Sequence, residues 1–153
     1  MYKILLATVL FIASLSLAPQ LAAQAPDFTQ TQALAEKGNP EAEYNLALLY
    51  HRGDGVAKDM ALEIKWLTRS AGHGYAPAQY NLGVMFDNGQ GVSKDPVQAT
   101  KWVAKAAEQG FPIAQRDLGL RYSEGKGVAK DPVQSAKWFT KAAEQNIPDA
   151  QYR

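Results

Sequence analysis

Cysteine is absent from this chain of 153 residues, which excludes disulfide bonds, cysteine-ligated zinc or iron–sulfur sites, thiol catalysis and cysteine-anchored lipids. Histidine is scarce: His51 and His73 occupy different positions of the repeat described below, so we predict no metal site. An excess of one charge is also lacking, because 16 Lys and Arg residues are balanced by 15 Asp and Glu residues. A near-neutral chain has no basic field to attract nucleic acid, and nothing in the sequence implies a cofactor.

A long apolar run occurs only at the N-terminus. Lys3 gives a short positive start, and a mostly apolar run over residues 4–18 follows it. This run is shorter than the roughly 20 residues that a membrane span needs. With the small residues that come next, the pattern is typical of a secretory signal peptide over residues 1–25, cleaved after Ala23 or Ala25. We therefore predict a periplasmic or secreted mature chain without a membrane span; a retained anchor is the alternative.

The rest of the chain repeats with a period of 36 residues. Trp66, Trp102 and Trp138 mark the period, and gapless overlay of the second and third copies gives 20 identities in 36. Such self-similarity is typical of stacked repeat architectures. We predict one repeat domain, residues 26–153, with a leading helix near Phe28, three full units and a partial fourth: 38–73, 74–109, 110–145 and 146–153.

Each unit is predicted to form two helices. In the first unit, Ala42, Leu46, Leu49 and Tyr50 are spaced as one helical stripe, which predicts a first helix from about Pro40 to Arg52. The third unit departs from this stripe, because Arg121 stands where the other units have leucine and methionine.

The second helices carry clear start signals. Aspartate provides the N-cap of each, and Gln98 follows its aspartate at the spacing of a reciprocal capping box. Before each cap, a G-x-G segment is predicted to turn with glycine at positive φ. One hairpin cannot bury its apolar face alone, so stacking of the three predicts an all-α solenoid. The cap and turn residues, which we assign structural roles, are Asp59, Asp95, Asp131, Gly55, Gly91 and Gly127.

These motifs resemble the Sel1-like repeat (SLR) family, which is related to tetratricopeptide repeats. The resemblance rests on A-Q-Y-N-L-G at 78–83, G-x-G-V-x-K-D at 89–95, A-x-K-W at 99–102 and K-A-A-E-x-G at 105–110. It covers about residues 38–153 and implies a right-handed α-solenoid that acts as a protein-binding adaptor, often in bacterial envelopes and in host contact. Some secreted relatives are labelled β-lactamases or penicillin-binding proteins, but those carry a disulfide in each repeat, and this chain has no cysteine.

Several motifs suggest chemistry, and in each case we favour a structural interpretation. The G-x-G segments follow a helix, whereas a dinucleotide-binding loop follows a strand. Ser123 and Lys126 match S-x-x-K, but the S-D-N and K-T-G motifs of acyl enzymes are lacking. Trp66, Trp102 and Trp138 occur once per unit, and we expect them to fill the space between stacked hairpins. We therefore predict that the protein is not an enzyme.

The residues beside the core stripe of each first helix are candidate partner contacts. Their i, i+4, i+7 spacing places each set on one face of its helix, and the resemblance implies that first helices line a concave groove. Aromatic and Arg side chains dominate binding energy, so Tyr44, Tyr80 and Arg116 are the predicted anchors. Alternatively, the aliphatic members simply pack between units. The full set is Tyr44, Leu48, His51, Tyr80, Val84, Asp87, Arg116, Leu120 and Ser123.

The predicted function is a non-catalytic scaffold or adaptor, in the bacterial envelope or secreted, that binds a peptide or protein partner on its concave face. One alternative is a β-lactamase or cell-wall enzyme, as some relatives are labelled. Another is a truncated structural fragment of a longer repeat protein. In that case the end near Trp138 and Phe139 is poorly capped and allows self-association through the C-terminal end.

Overall fold

The computed structural model describes residues 27–145, and over that range the chain consists of helices and connecting turns. The all-α solenoid predicted from the repeat is confirmed there. The predicted signal peptide, residues 1–25, and the predicted partial unit, residues 146–153, lie outside the described residues. The helices are α1 (Phe28–Glu36), α2 (Pro40–Arg52), α3 (Met60–Gly72), α4 (Ala76–Asn88), α5 (Pro96–Glu108), α6 (Pro112–Glu124) and α7 (Pro132–Glu144).

Each predicted unit forms a helical hairpin. α2 packs on α3, α4 on α5, and α6 on α7. Between units, α3 packs on α4 and α5 on α6, while α1 packs on α2 as a leading helix. Because the extensive contacts join successive helices, the core is built layer by layer along the chain, as repeat architectures require.

The first helices end at a left-handed glycine. Gly53, Gly89 and Gly125 follow α2, α4 and α6 with φ angles of +79°, +70° and +76°. The backbone N–H of each donates to a carbonyl four residues earlier, which satisfies one of the carbonyls left free at a helix end. The prediction of a first helix over Pro40–Arg52 agrees with the bounds of α2.

Aspartate caps begin the second helices. The Oδ1 atom of Asp59 accepts a hydrogen bond from one backbone N–H, and Asp95 and Asp131 accept from two each. Such caps satisfy N–H groups that lack a partner within the helix and are worth about 1 kcal/mol each. The reciprocal bond predicted between Gln98 and the Asp95 N–H is replaced, because that N–H donates to the Phe86 carbonyl at 2.9 Å.

The G-x-G turns lie directly against the second helix of the preceding unit. Gly55, Gly91 and Gly127 have φ angles of +72°, +67° and +67°. A Cβ atom added at Gly127 would overlap the Pro96 carbonyl of α5, and one added at Gly91 would overlap the Ile64 side chain of α3. Glycine is therefore required by both the backbone conformation and the close approach.

One leucine per first helix lies at the centre of the core: Leu46, Leu82 and Leu118 are almost completely buried. The small residue after each leucine lets the second helix come close. A Cβ atom added at Gly83 would lie 3.0 Å from the Ala99 carbonyl of α5. This packing fixes the direction of each first helix and so determines which of its side chains face away from the core.

Candidate partner-binding face

The nine candidate contacts form what we call the first-helix face, with three residues each on α2, α4 and α6. His51 and Ser123 are exposed, and the other seven are half-buried beside the buried stripe of their helices. Half-buried apolar and aromatic side chains with polar neighbours are typical of protein-binding surfaces. The half-buried members are Tyr44, Leu48, Tyr80, Val84, Asp87, Arg116 and Leu120.

A cleft of about 160 Å³ opens between α2 and α4, with side chains of α3 contributing to its wall. We call it the α2–α4 cleft. It brings together three members of the first-helix face, Leu48, His51 and Val84, whereas the other six do not line it. The complete lining is Ala47, Leu48, His51, Glu63, Leu67, Asn81, Val84, Met85 and Gln90.

The α2–α4 cleft has apolar walls and one acidic group. Glu63 is the sole carboxylate among the described residues that line it, and none of them is a lysine or arginine. The Glu63 side chain is 16% exposed, and its Oε1 atom lies 3.0 Å from Nδ1 of His51. The arrangement suits an apolar group that enters the cleft beside a cation.

Two tyrosines of the first-helix face also join consecutive units. The ring of Tyr44 lies 5.4 Å from that of Tyr75, and the ring of Tyr80 lies 5.8 Å from that of Phe111. The Tyr44 hydroxyl also accepts a hydrogen bond from Nδ2 of Asn81 at 3.1 Å. These rings therefore stabilise the stacking of units as well as present a surface.

A charged cluster occupies the face between α4 and α6. Arg121 forms ion pairs with Asp87 on the preceding first helix and with Asp117 on its own, and it donates a hydrogen bond to the Thr100 hydroxyl at 3.1 Å. Lys126 Nζ lies 3.0 Å from Asp87 Oδ2. We call these four charged residues (Asp87, Asp117, Arg121 and Lys126) the Arg121 cluster.

The Arg121 cluster stabilises the ionised forms of its buried members. Burial by itself would raise the pKa of Asp87, but hydrogen bonds from Arg121 and Lys126 outweigh burial and lower that pKa below its ordinary value. Burial would likewise lower the pKa of Arg121, and the hydrogen bond to Asp87 together with the charge of Asp117 raises it instead. Asp87 and Arg121 are therefore both ionised at neutral pH.

The repeated tryptophans lie between helices with a cation over each ring. Trp66 and Trp138 are buried, and Trp102 is half-buried against the core. Lys105 Nζ lies 4.1 Å from the ring centre of Trp102, and Lys141 Nζ lies 4.6 Å from that of Trp138. Cation–π contacts of this kind contribute about 0.5–1 kcal/mol at exposed sites.

In every unit, a buried polar side chain of the first helix pairs with an exposed residue at the end of the second helix. Gln79 accepts from Gln109 at 2.7 Å and donates to the Ala71 carbonyl at 3.1 Å. In the first unit, fully buried Glu43 replaces glutamine and lies 2.7 Å from Arg69. It also lies 2.8 Å from Nδ1 of His73, so this histidine has a structural partner.

The S-x-x-K motif is not arranged as a nucleophile and base. Ser123 Oγ donates to the Leu120 carbonyl at 2.8 Å, and Lys126 is paired with Asp87. Over residues 27–145, no group of three or more His, Cys, Asp or Glu residues is placed to hold a metal ion. In the same range, no helix is long and apolar enough to cross a membrane.

Glu63 was not among the predicted partner contacts, because those were chosen on the first helices alone. Glu63 lies on α3, and its counterparts in the next two units are Ala99 and Ser135. This departure from the repeat was the available signal. Asn81 and Gln90 were missed for a different reason: they look like ordinary solvated residues until α2 and α4 are placed side by side.

Comparison with known proteins gives a consistent family match. The family model described as Sel1 repeat matches residues 40–75, 76–111 and 112–147. A crystal structure of a Sel1 repeat protein from Oxalobacter formigenes is similar with 38% identity and a TM-score of 0.77, covering 80% of this chain and 92% of that one. No curated protein sequence matches this chain significantly.

Two further solved structures are similar. A protective antigen present in uropathogenic Escherichia coli strains, which displays an SLR fold, has 42% identity and a TM-score of 0.75 over 79% of this chain. This chain spans only 26% of that antigen. Cysteine rich protein B of Helicobacter pylori has 24% identity and a TM-score of 0.65, covering 83% of this chain and 94% of that one. At that identity the similarity shows the fold alone.

Proposed function

This chain belongs to the Sel1 repeat family, whose members are generally protein-interaction scaffolds, and from this premise we propose that it is a non-catalytic adaptor. Its first-helix face, which we take to be the concave side of the solenoid, binds a peptide or a segment of a partner protein. Tyr44, Tyr80 and Arg116 are the proposed anchors, because aromatic and Arg side chains contribute most to interface energies.

The observation that carries the proposal is the α2–α4 cleft. The cores of these units are filled by leucine, alanine and aromatic side chains, yet Leu48 and Val84 line an open space on the first-helix face. Binding sites in proteins are typically concave and mostly apolar, with a few polar groups that fix orientation. The cleft has this composition.

We place the proposed adaptor in the periplasm or outside the cell. Sel1-repeat relatives are often extracellular or periplasmic, and the N-terminal sequence has the pattern of a signal peptide. Self-association through the C-terminal end is part of the proposal, and light scattering over a tenfold concentration range tests it. A mass that stays at one chain across that range contradicts self-association.

The experiment that tests the function is capture from an envelope extract of the organism that encodes the chain, with bound proteins identified by mass spectrometry. The test variant is Tyr44→Ala/Tyr80→Ala/Arg116→Ala. The matched control is Lys101→Ala/Lys137→Ala, which changes exposed residues on α5 and α7. A partner kept by the wild type and the control but lost by the triple variant supports the first-helix face.

The two tyrosines also hold units together, so circular dichroism and thermal unfolding must show that the triple variant folds. If it does not, Leu48→Ser/Leu120→Ser takes its place, because both leucines are only half-buried. A partner retained by all folded variants would contradict the site. Turnover of nitrocefin by the purified chain above the buffer rate would contradict the non-catalytic assignment.

A further inference from the structure

The 36-residue repeat predicts a second potential cleft between α4 and α6. Each residue that lines the α2–α4 cleft has a counterpart there, 36 positions later in the chain. Leu48 of the first cleft corresponds to Val84, and Leu67 corresponds to Val103. Both sites lie between successive first helices of the same length, α2 and α4 in one case and α4 and α6 in the other. We therefore compare the side chains at equivalent positions.

Four small or aliphatic lining residues have small or aliphatic counterparts, and Glu63 has Ala99 as its counterpart. Four lining residues of the α2–α4 cleft, His51, Asn81, Met85 and Gln90, have as counterparts the four members of the Arg121 cluster: Asp87, Asp117, Arg121 and Lys126. In the α2–α4 cleft none of these four residues is a lysine or an arginine, and the space between them is open. In the second, Arg121 stands at the methionine position, only 1% exposed, and ties Asp87 of α4 to Asp117 of α6.

We propose that the Arg121 cluster closes the second cleft, so that the scaffold offers one docking site, the α2–α4 cleft, instead of two equivalent ones. The occupant of that cleft is a partner peptide with a branched aliphatic side chain next to a lysine or arginine. The aliphatic group enters between Leu48 and Val84, and the cation lies against Glu63. This inference rests on the proposed function and names the partner chemistry of that face.

Charge complementarity determines the occupant. Glu63 is the one carboxylate in the lining, and the neighbouring His51 gives it a hydrogen bond without the permanent charge of a lysine or arginine. Opposite charges across an interface favour the right partner, and like charges exclude the wrong one. In the second cleft every carboxylate is already paired with Arg121 or Lys126, so an incoming cation finds no free acidic group.

The test is methyl NMR of the folded chain titrated with the peptide acetyl-Gly-Leu-Lys-Gly-amide. Control peptides carry Glu in place of Lys, or Asn in place of Leu. We expect saturable shifts at the methyl groups of Leu48 and Leu67, none at Val103 and Leu120, and at least threefold weaker binding of both controls. Glu63→Gln should abolish the preference for Lys over Glu while leaving the helical content unchanged.

Register transplants test the closing role directly. The closing variant, His51→Asp/Asn81→Asp/Met85→Arg/Gln90→Lys, should lose the shifts at Leu48. The opening variant, Asp87→His/Asp117→Asn/Arg121→Met/Lys126→Gln, should gain shifts at Val103 and Leu120 that show no preference for Lys over Glu, because Ala99 stands at the position of Glu63. The comparison of methyl shifts at the two clefts is made in the wild-type chain, which carries no substitution. The proposal can therefore be tested even if neither transplant variant folds.

Three results would overturn the inference. They are equal shifts at both clefts in the wild type, binding that the closing variant leaves unchanged, or no saturable shift up to about 10 mM peptide, which is about ten times a millimolar Kd. Peptide shifts elsewhere on the first-helix face would contradict the cleft assignment while leaving the scaffold function intact. Failure of the scaffold function itself would be seen in the capture experiment, through the lack of any protein that binds the wild-type chain specifically.

Discussion

Arg121 of α6 and Asp87 of α4 form an ion pair that joins two repeat units, with side chains only 1% and 9% exposed. A charge withdrawn from water is tolerated when its partner is present and is costly when the partner is removed. The third unit therefore depends on the second for the neutralisation of its own core arginine. The equivalent residues of the other units, Leu49 and Met85, are buried and uncharged, so they need no charged partner.

Asp87→Asn should lower the free energy of unfolding by about 2–4 kcal/mol, because the buried guanidinium keeps only Asp117 as a charged partner. Asp117→Asn is the matched control: the Asp117 side chain is 24% exposed, and its loss should cost about 1 kcal/mol or less. Urea unfolding at pH 7 measures both. Equal losses in the two variants would show that Asp87 is not the principal partner of Arg121.

Stability should fall in acid partly through Asp87. Its pKa is lowered in the folded chain, since hydrogen bonds from Arg121 and Lys126 outweigh burial, so the stabilisation is present above the ordinary aspartate pKa of about 3.9. It is lost as the pH falls below that value and through the lower folded-state pKa. The wild type should therefore lose more unfolding free energy than Asp87→Asn between pH 5 and pH 2. A parallel decline of both proteins would contradict this.

Gly127→Ala should be far more destabilising than Gly110→Ala, although both glycines have positive φ. The shared backbone strain costs about 1–2 kcal/mol. At Gly127 the new Cβ atom also overlaps the Pro96 carbonyl, whereas nothing lies within 4 Å of it at Gly110. The expected losses are about 3–5 and 1–2 kcal/mol, measured by thermal or urea unfolding. Similar losses would mean that the turn does not pack tightly on α5.

Gln79→Glu and Glu43→Gln exchange residues between equivalent positions, and the effects should be unequal. A carboxylate at Gln79 cannot donate to the Ala71 carbonyl that the amide now contacts. Lys105, the counterpart of Arg69, lies over the Trp102 ring and would have to leave it to pair with the new charge; the expected cost is about 3 kcal/mol. Glu43→Gln removes a buried charge and leaves Arg69 and His73, both partly exposed, to be hydrated. Its effect should stay within about 1 kcal/mol, and a larger loss would contradict this interpretation.

The repeat made the fold predictable from the sequence. One stripe of apolar residues from Ala42 to Tyr50 recurs in the second unit and, with Arg121 in place of one apolar residue, in the third. Together with the recurring aspartate caps and glycines, it indicates helix length, turn position and hairpin pairing. Local chemistry also determined the start of each second helix, because an aspartate cap acts within one turn. These features depend on neighbours in the sequence, so they can be predicted without coordinates.

The candidate site could be predicted only in part, because its important contacts join different helices. Leu48 and Val84 were identified by helical spacing, but the pairing of His51 with Glu63 depends on how α2 and α3 pack. Glu43 shows the same difficulty: glutamate near a helix start is ordinarily solvated, yet here it is fully buried beside Arg69. The role of the first-helix face in binding stays a prediction.

The most direct test of the scaffold proposal is photo-cross-linking in the envelope extract, with p-benzoylphenylalanine placed at Leu48 in one sample and at Lys101 in another. Leu48 lines the cleft on the first-helix face, whereas Lys101 is exposed on α5. We predict that a partner protein is cross-linked from position 48 and not from position 101. Cross-linking of the same partner from position 101 alone, or with equal yield from both positions, would contradict it.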